Sequence, residues 1–152
     1  MSDGCYSCAQ EDTPDAPIRE RLWLESGWRV AHSFNSSLPG WLVVLPTRHV
    51  ETLPVLTVEE AVGLGPLLRD LSRALVGVTG CSKTYVMLLV EAEGFSHLHF
   101  HLVPRAADML ESRRGVDVFS HLKEEPLSEM RRDEISQQLH EAMIELRRGE
   151  TS

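Results

Sequence analysis

Three features of the sequence predict an antiparallel α+β domain. Short apolar runs rich in β-favouring residues recur between turn signals, one long segment carries helical spacing, and a second helical pattern closes the chain. With 152 residues, 42% of them hydrophobic and 25% charged, the chain can build one compact core and is too short for two ordinary domains, so residues 1–152 are read as a single domain.

The first element is "RLWLESGWRVAHS", residues 21–33, where two apolar runs flank Ser26-Gly27 and signal a hairpin. "PGWLVVLP", residues 39–46, is a continuous apolar run bracketed by turn residues and reads as a third strand, buried on both faces. Thr57 followed three residues later by Glu60 fits a capping box, and Ala61, Leu64, Leu68, Leu71 and Leu75 then recur at helical spacing toward Gly80. Pro66 lies inside this helix and is expected to kink it or delay its start, because it supplies no amide hydrogen. "KTYVMLLVEA" and "FSHLHFHLVP" read as a fourth and a fifth strand, and the short turn near Gly94 between them implies an antiparallel pair. Residues 105–126 lack clean periodicity and read as loop with short turns. Ile135, Leu139, Ala142, Met143 and Leu146 then define an amphipathic helix expected to end at Gly149.

Charge and composition narrow the function. A formal net charge of −8 disfavours nucleic acid and anionic membranes as partners, since both require a basic surface. The amino-terminal residues are polar and acidic, and no window approaches the roughly 18 apolar residues of a membrane span, so a cytoplasmic location is expected. Three cysteines, Cys5, Cys8 and Cys81, are too few and too odd for a disulfide framework and leave thiol or metal chemistry open. Cys81, between helix and strand, reads as a buried apolar residue.

The run "SHLHFHLV" concentrates the chemistry. On a strand His97, His99 and His101 share one face, about 6.6 Å apart in sequence. Two chemistries use such a row. Three imidazoles can bind one catalytic metal ion. Alternatively, one imidazole attacks phosphorus while its neighbours orient it and donate hydrogen bonds to phosphate oxygens. At the other end of the chain Cys5-x-x-Cys8 precedes an acidic, proline-containing stretch rather than sitting in a βαβ unit. That context argues against a redox motif and favours half of a tetrahedral zinc site, with two free terminal thiols as the bland alternative.

The residues His97 to Val103 match the His-φ-His-φ-His-φ-φ signature, φ being apolar, of the histidine triad family of nucleotide hydrolases and transferases. "PGWLVVLPTRHV" resembles a second block of that family, a strand ending in proline with a histidine three residues later, here His49. The resemblance spans about residues 5–105. It implies a five-stranded antiparallel sheet with one long helix, here followed by a carboxy-terminal helix, and a homodimer with its sheets joined. It makes His99 the nucleophile at the α-phosphorus of a nucleoside phosphate derivative, a phosphoramidate or a dinucleoside polyphosphate, with a covalent nucleotidyl-histidine intermediate. His101 would bind a non-bridging phosphate oxygen. Members carrying the amino-terminal cysteine pair complete a structural Zn2+ site with two histidines, which here gives Cys5, Cys8, His49 and His97 and pins the knuckle of residues 1–17 to the sheet ahead of a carboxy-terminal loop and helix, 105–152.

The chain also departs from the family. Trp41 stands where a histidine is common, and Ser33, with Asn35 nearby, stands where many members place an acidic residue on the ribose. Glu93-Gly94-Phe95-Ser96 replaces the usual Gly-Gln pair before the triad. Ser33, Asn35, Ser96 and Arg105 are therefore the substrate-binding candidates. Arg113 and Arg114 read as a solvated loop paired with Glu111 and Asp108, His121 and His140 as surface residues, and Trp23, Trp28 and Trp41 as core or interface aromatics. His32 is open to either reading, since its strand can run along the pocket. Two other functions fit the sequence: a three-histidine metal hydrolase, and a zinc-stabilised nucleotide-binding module without turnover.

Overall fold

Ser26 and Gly27 adopt φ of 50° and 81°, the two positive angles that a two-residue hairpin turn requires, and they join β1 (Trp23–Glu25) to β2 (Trp28–His32). The structure is a computed structural model and describes residues 4–151. Three further strands, β3 (Leu42–Pro46), β4 (Lys83–Met87) and β5 (Phe100–Arg105), complete one sheet of order β1-β2-β3-β5-β4 with every pair antiparallel. Its helices are the short α1 (Tyr6–Glu11), the long α2 (Val58–Thr79) between β3 and β4, and the closing α3 (Glu129–Thr151). The expected five-stranded antiparallel α+β fold is present.

Alternation divides the sheet. Trp28, Val30, Leu42, Val44, Phe100 and Leu102 turn to one face, where they meet Leu67, Leu71 and Leu75 of α2 and Ile135, Leu139 and Met143 of α3. Full burial of such side chains contributes roughly 1.5–3 kcal/mol each, so this layer dominates the stability. The opposite face carries a smaller cluster of Trp41, Val103, Met109 and Val118 beneath the short turns of Glu111–Arg113 and Gly115–Lys123. The rest of that face is the floor of a pocket. β3 is thus packed on one side and faces the pocket with Val43 and Leu45 on the other; the burial that its unbroken apolar run implied holds for every residue but the half-buried Val43.

The capping box of α2 is complete: the Glu60 amide donates to Thr57 Oγ1 at 3.0 Å, the Thr57 amide to the Glu60 carboxylate at 3.4 Å, and Gly80 ends the helix at φ 72°. Helix α2 runs through Pro66 instead of starting after it. Pro66 and Val62, whose carbonyl the proline cannot engage, both lie on the exposed face, where water can take that hydrogen bond. Helix α3 starts earlier than expected and runs past Gly149.

Two expectations need correction. The strand expected over 95–104 begins only at Phe100, and β4 ends at Met87, so His97 and His99 precede the ladder and only His101 lies in it. Their chain bends away because its polar groups bond elsewhere, with the Leu98 amide donating to the Val50 carbonyl at 2.6 Å. His121 is buried, not exposed. Its Nδ1–H donates to the Val118 carbonyl at 3.0 Å, and its own carbonyl accepts from the Ser37 amide. Half-buried His140 donates in the same way to the Leu22 carbonyl.

Candidate metal knuckle and triad pocket

The entry to β5 brings two sites together, with His97 facing one and His99 the other. His97 is buried, and its Nε2–H donates to the Pro46 carbonyl at 2.8 Å. That bond leaves Nδ1 with its lone pair directed at Cys5 and Cys8, whose sulfurs both lie 3.6 Å away. His49 Nδ1 approaches Cys8 Sγ at 3.3 Å, while its Nε2 faces the Glu51 carboxylate at 3.3 Å. Hydrogen bonds from Ser96 and His49 hold the Glu51 carboxyl below its ordinary range. The ligand atoms of Cys5, Cys8, His49 and His97 all lie within 4.8 Å of one another.

Two thiols and two imidazoles are a donor set that zinc prefers, and a tetrahedral ion at usual bond lengths separates its sulfur and nitrogen ligands by about 3.6 Å. The three sulfur–nitrogen separations given above, 3.3 to 3.6 Å, are close to that figure. Each imidazole is also held from behind, His97 by a carbonyl and His49 by a carboxylate, the outer support typical of metal-ligating histidines. With four protein donors the site is closed, so a metal here would be structural.

His99 is built for a different task. Its Nδ1–H donates to the His97 carbonyl at 2.8 Å, an acceptor only, which fixes the tautomer and leaves Nε2 as a free lone pair with no hydrogen-bond partner among the described residues. The His101 ring lies against it, centroids 5.0 Å apart. The Trp41 indole N–H donates to His101 Nδ1 at 3.0 Å. Since indole only donates, His101 must carry its proton on Nε2. Burial, helped by His99, pushes the His101 imidazole down to about 4, so it stays neutral near pH 7. The pair thus offers one nucleophilic nitrogen and one neutral N–H donor. The three triad rings do not converge on a common point, because His97 is turned to the cysteines.

Both rings line a pocket of about 320 Å³ on the open face of the sheet. Ala31, Val43 and Leu45 form its floor, Ser33 and Asn35 one wall, and the β4–β5 loop another. Arg29 is in the floor, but it pairs with Glu11 and Glu20 and donates to the Ser7 carbonyl, so it anchors α1.

The sequence matches no family model and no curated protein. Solved structures do match. A Zn-bound histidine triad family protein from Mycobacterium smegmatis has TM-score 0.70 at 21% identity, over 98% of this chain and 99% of that one. A histidine triad protein from Bradyrhizobium japonicum has TM-score 0.64 at 21% identity, over 81% and 89%. The fold is the histidine triad fold. A uridylyltransferase shares it at TM-score 0.65 and 19% identity over 93% of this chain and 45% of that one, so the present chain spans about half that enzyme's length.

Of the substrate-binding candidates in this histidine triad fold, the structure brings Ser33 and Asn35 to the pocket, where the Ser33 hydroxyl donates to Asn35 Oδ1 at 2.9 Å. Ser96 instead donates to Glu51 behind the knuckle, and Arg105 lies at the far end of β5 opposite Lys83, outside the pocket lining. Arg113 pairs with Glu124 and Arg114 donates to the Met109 carbonyl, neither to the partner the sequence suggested. His32 borders the pocket, but both its ring nitrogens are committed to the backbone, so its role is structural. Its Nδ1–H bonds the Ser33 carbonyl, its Nε2 accepts from the Gly40 amide at 3.0 Å, and burial pushes it down to about 4. Trp28 and Trp41 are wholly buried, and Trp23 is half-buried, packed against the core with Arg147 over its ring. The sequence reading missed Tyr6, Phe34, Phe95 and Phe119, which line the pocket as single aromatics from α1, two loops and a 3-10 turn, segments too short or irregular to carry a periodic signal.

Proposed function

We propose that this protein is a zinc-stabilised histidine triad enzyme that hydrolyses or transfers the nucleotidyl group of a nucleoside phosphoramidate or dinucleoside polyphosphate. The observation that carries this reading is the His99 ring, its Nδ1–H committed to the His97 carbonyl and its Nε2 free beside the His101 donor at the pocket. His99 Nε2 attacks the α-phosphorus, a P–Nε2 bond forms, and the P–N or P–O bond to the leaving group breaks as that group takes up a proton from solvent water, a proton that the resolving nucleophile returns to solvent in the second step. His101 Nε2–H donates to a non-bridging oxygen where negative charge develops. Water or another acceptor then attacks phosphorus, and His99 leaves with its lone pair. Zinc at Cys5, Cys8, His49 and His97 would supply structural rigidity. His99→Ala should abolish turnover of adenosine phosphoramidate and leave the circular dichroism spectrum unchanged; full activity in that variant would sink the assignment.

The runner-up is a binding module without turnover. It draws on the absence of an unpaired cation from the pocket lining among the described residues, Arg29 being held by Glu11 and Glu20. Binding of AMP with no hydrolysis of any phosphoramidate or polyphosphate would favour it. We further propose a homodimer joined along edge strand β4, which exposes Val86 at 48% and leads into Leu89 at 59%. Sedimentation equilibrium distinguishes it from a monomer. Cysteines gathered in a metal cluster rather than in disulfides suit a reducing compartment such as the cytoplasm, and no helix among the described residues is long and apolar enough to cross a membrane.

A further inference from the structure

Tyr6 belongs to both sites. It lies between Cys5 and Cys8 of the knuckle, yet its ring packs on Phe34 and Phe95, with centroids 5.2 and 5.9 Å away, and all three line the pocket. Phe34 and Phe95 are themselves stacked at 5.8 Å. The three rings come from three separate segments: α1, the β2–β3 loop and the β4–β5 loop. Together they form an aromatic wall with Tyr6 and Phe34 more than a third exposed. That exposure gives a planar aromatic ligand a π-face to stack on.

The wall's weakest support is α1. This helix has six residues and buries none of them. An isolated helix of that length is far too short to be stable. Polar tethers hold it instead: the two cysteines at the His49–His97 cluster, Arg29 through Glu11 and the Ser7 carbonyl, and the Tyr6 hydroxyl, which donates to Glu20 at 3.1 Å. Occupancy of the four-ligand cluster therefore bears directly on where the Tyr6 ring sits.

We propose that Tyr6 couples the metal knuckle to the pocket: with the knuckle loaded, its ring is fixed on Phe34 and Phe95 as a stacking surface for the nucleobase, so metal and nucleotide bind with positive cooperativity. This rests on the function proposed above, in that the ligand is a nucleotide. Tyr6 is a positioning residue, remote from the bonds that change. Coupling of this kind is reciprocal: if metal tightens nucleotide binding by some factor, nucleotide tightens metal binding by the same factor.

The test uses the full chain, AMP as ligand, and the release of zinc to a chromogenic chelator as a readout independent of activity. In the wild type, removing the metal should weaken AMP binding about tenfold, the order of one base-stacking contact, and saturating AMP should slow zinc release. In Tyr6→Leu, which keeps apolar bulk but has no aromatic face, AMP should bind about tenfold more weakly with metal present, metal removal should cost little more, and AMP should not protect the zinc. Tyr6→Phe, which loses only the hydroxyl, should restore both effects. Equal AMP affinity in the loaded and metal-free wild type, or undiminished protection of zinc in Tyr6→Leu, would overturn the coupling while leaving the enzymatic reading intact. A wild type that neither binds AMP nor cleaves adenosine phosphoramidate would overturn both.

Discussion

Trp41 reaches His101 with one hydrogen bond, and that bond decides which nitrogen of the second histidine faces the pocket. Trp41→Phe keeps an aromatic ring but leaves a small void at this buried site and removes the donor, so both tautomers of His101 become available and a partly buried acceptor loses its partner. A lost partner of this kind costs about 1–3 kcal/mol. A fall in kcat of at least tenfold with little change in KM is expected, accompanied by a shift of the His101 ring-nitrogen resonances. His32 and His101 also predict an acid limit. Both are held near 4 in the folded protein against an ordinary value of 6.5, so the unfolded chain takes up their protons first as pH falls. The stability they contribute is complete above pH 6.5 and is lost between 6.5 and about 4, at up to about 3 kcal/mol for each imidazole. Chemical unfolding followed across that range checks it. At this scale the sequence singled out the imidazoles that the fold brings to the knuckle and the pocket, and concealed what orients them. The acceptors for His97 and His99 are backbone carbonyls, and the donor for His101 is an indole 60 positions away, none of which leaves a periodic trace.

Elements were most legible where local rules decide them. The Thr57–Glu60 box and Gly80 bounded α2 because a helix end must satisfy its own amides and carbonyls within a few residues. The ends of β4 and β5 were not legible, because both chains leave the ladder to build the pocket wall and the knuckle, and those partners are distant in sequence. Gly40 tests how tightly the elements meet. It adopts φ 88°, and an added Cβ would lie 3.1 Å from the Leu75 side chain and 3.2 Å from those of Pro104 and Thr79. Gly40→Ala therefore combines left-handed strain, roughly 1–2 kcal/mol, with overpacking of about 1–3 kcal/mol between β3, α2 and β5. The melting temperature should fall on the order of 10 °C, measured by calorimetry.

For the molecule as a whole, the knuckle joins the first described residues to a sheet whose core they do not enter. Binding to the folded state alone stabilises it by mass action, so chelation should lower the melting temperature, and restoring zinc should raise it in proportion to the logarithm of free metal. Metal analysis should give one ion per chain in the wild type and a marked loss in Cys8→Ser; unchanged metal in the variant would exclude Cys8 as a ligand. The overall architecture was readable because two motif blocks and a capped helix appeared in order along one chain. The sharing of His97 between two sites was not, since it depends on the bend before β5. That bend has a genetic consequence. The group that steers the proposed nucleophile is part of the main chain at position 97, so no side-chain replacement there can delete it, and a cysteine or aspartate could inherit the ligand role with His99 still aimed. Its neighbour is steered by an indole that a single codon change removes. One half of the proposed catalytic pair is thereby shielded from mutation, and the other is left open to adjustment.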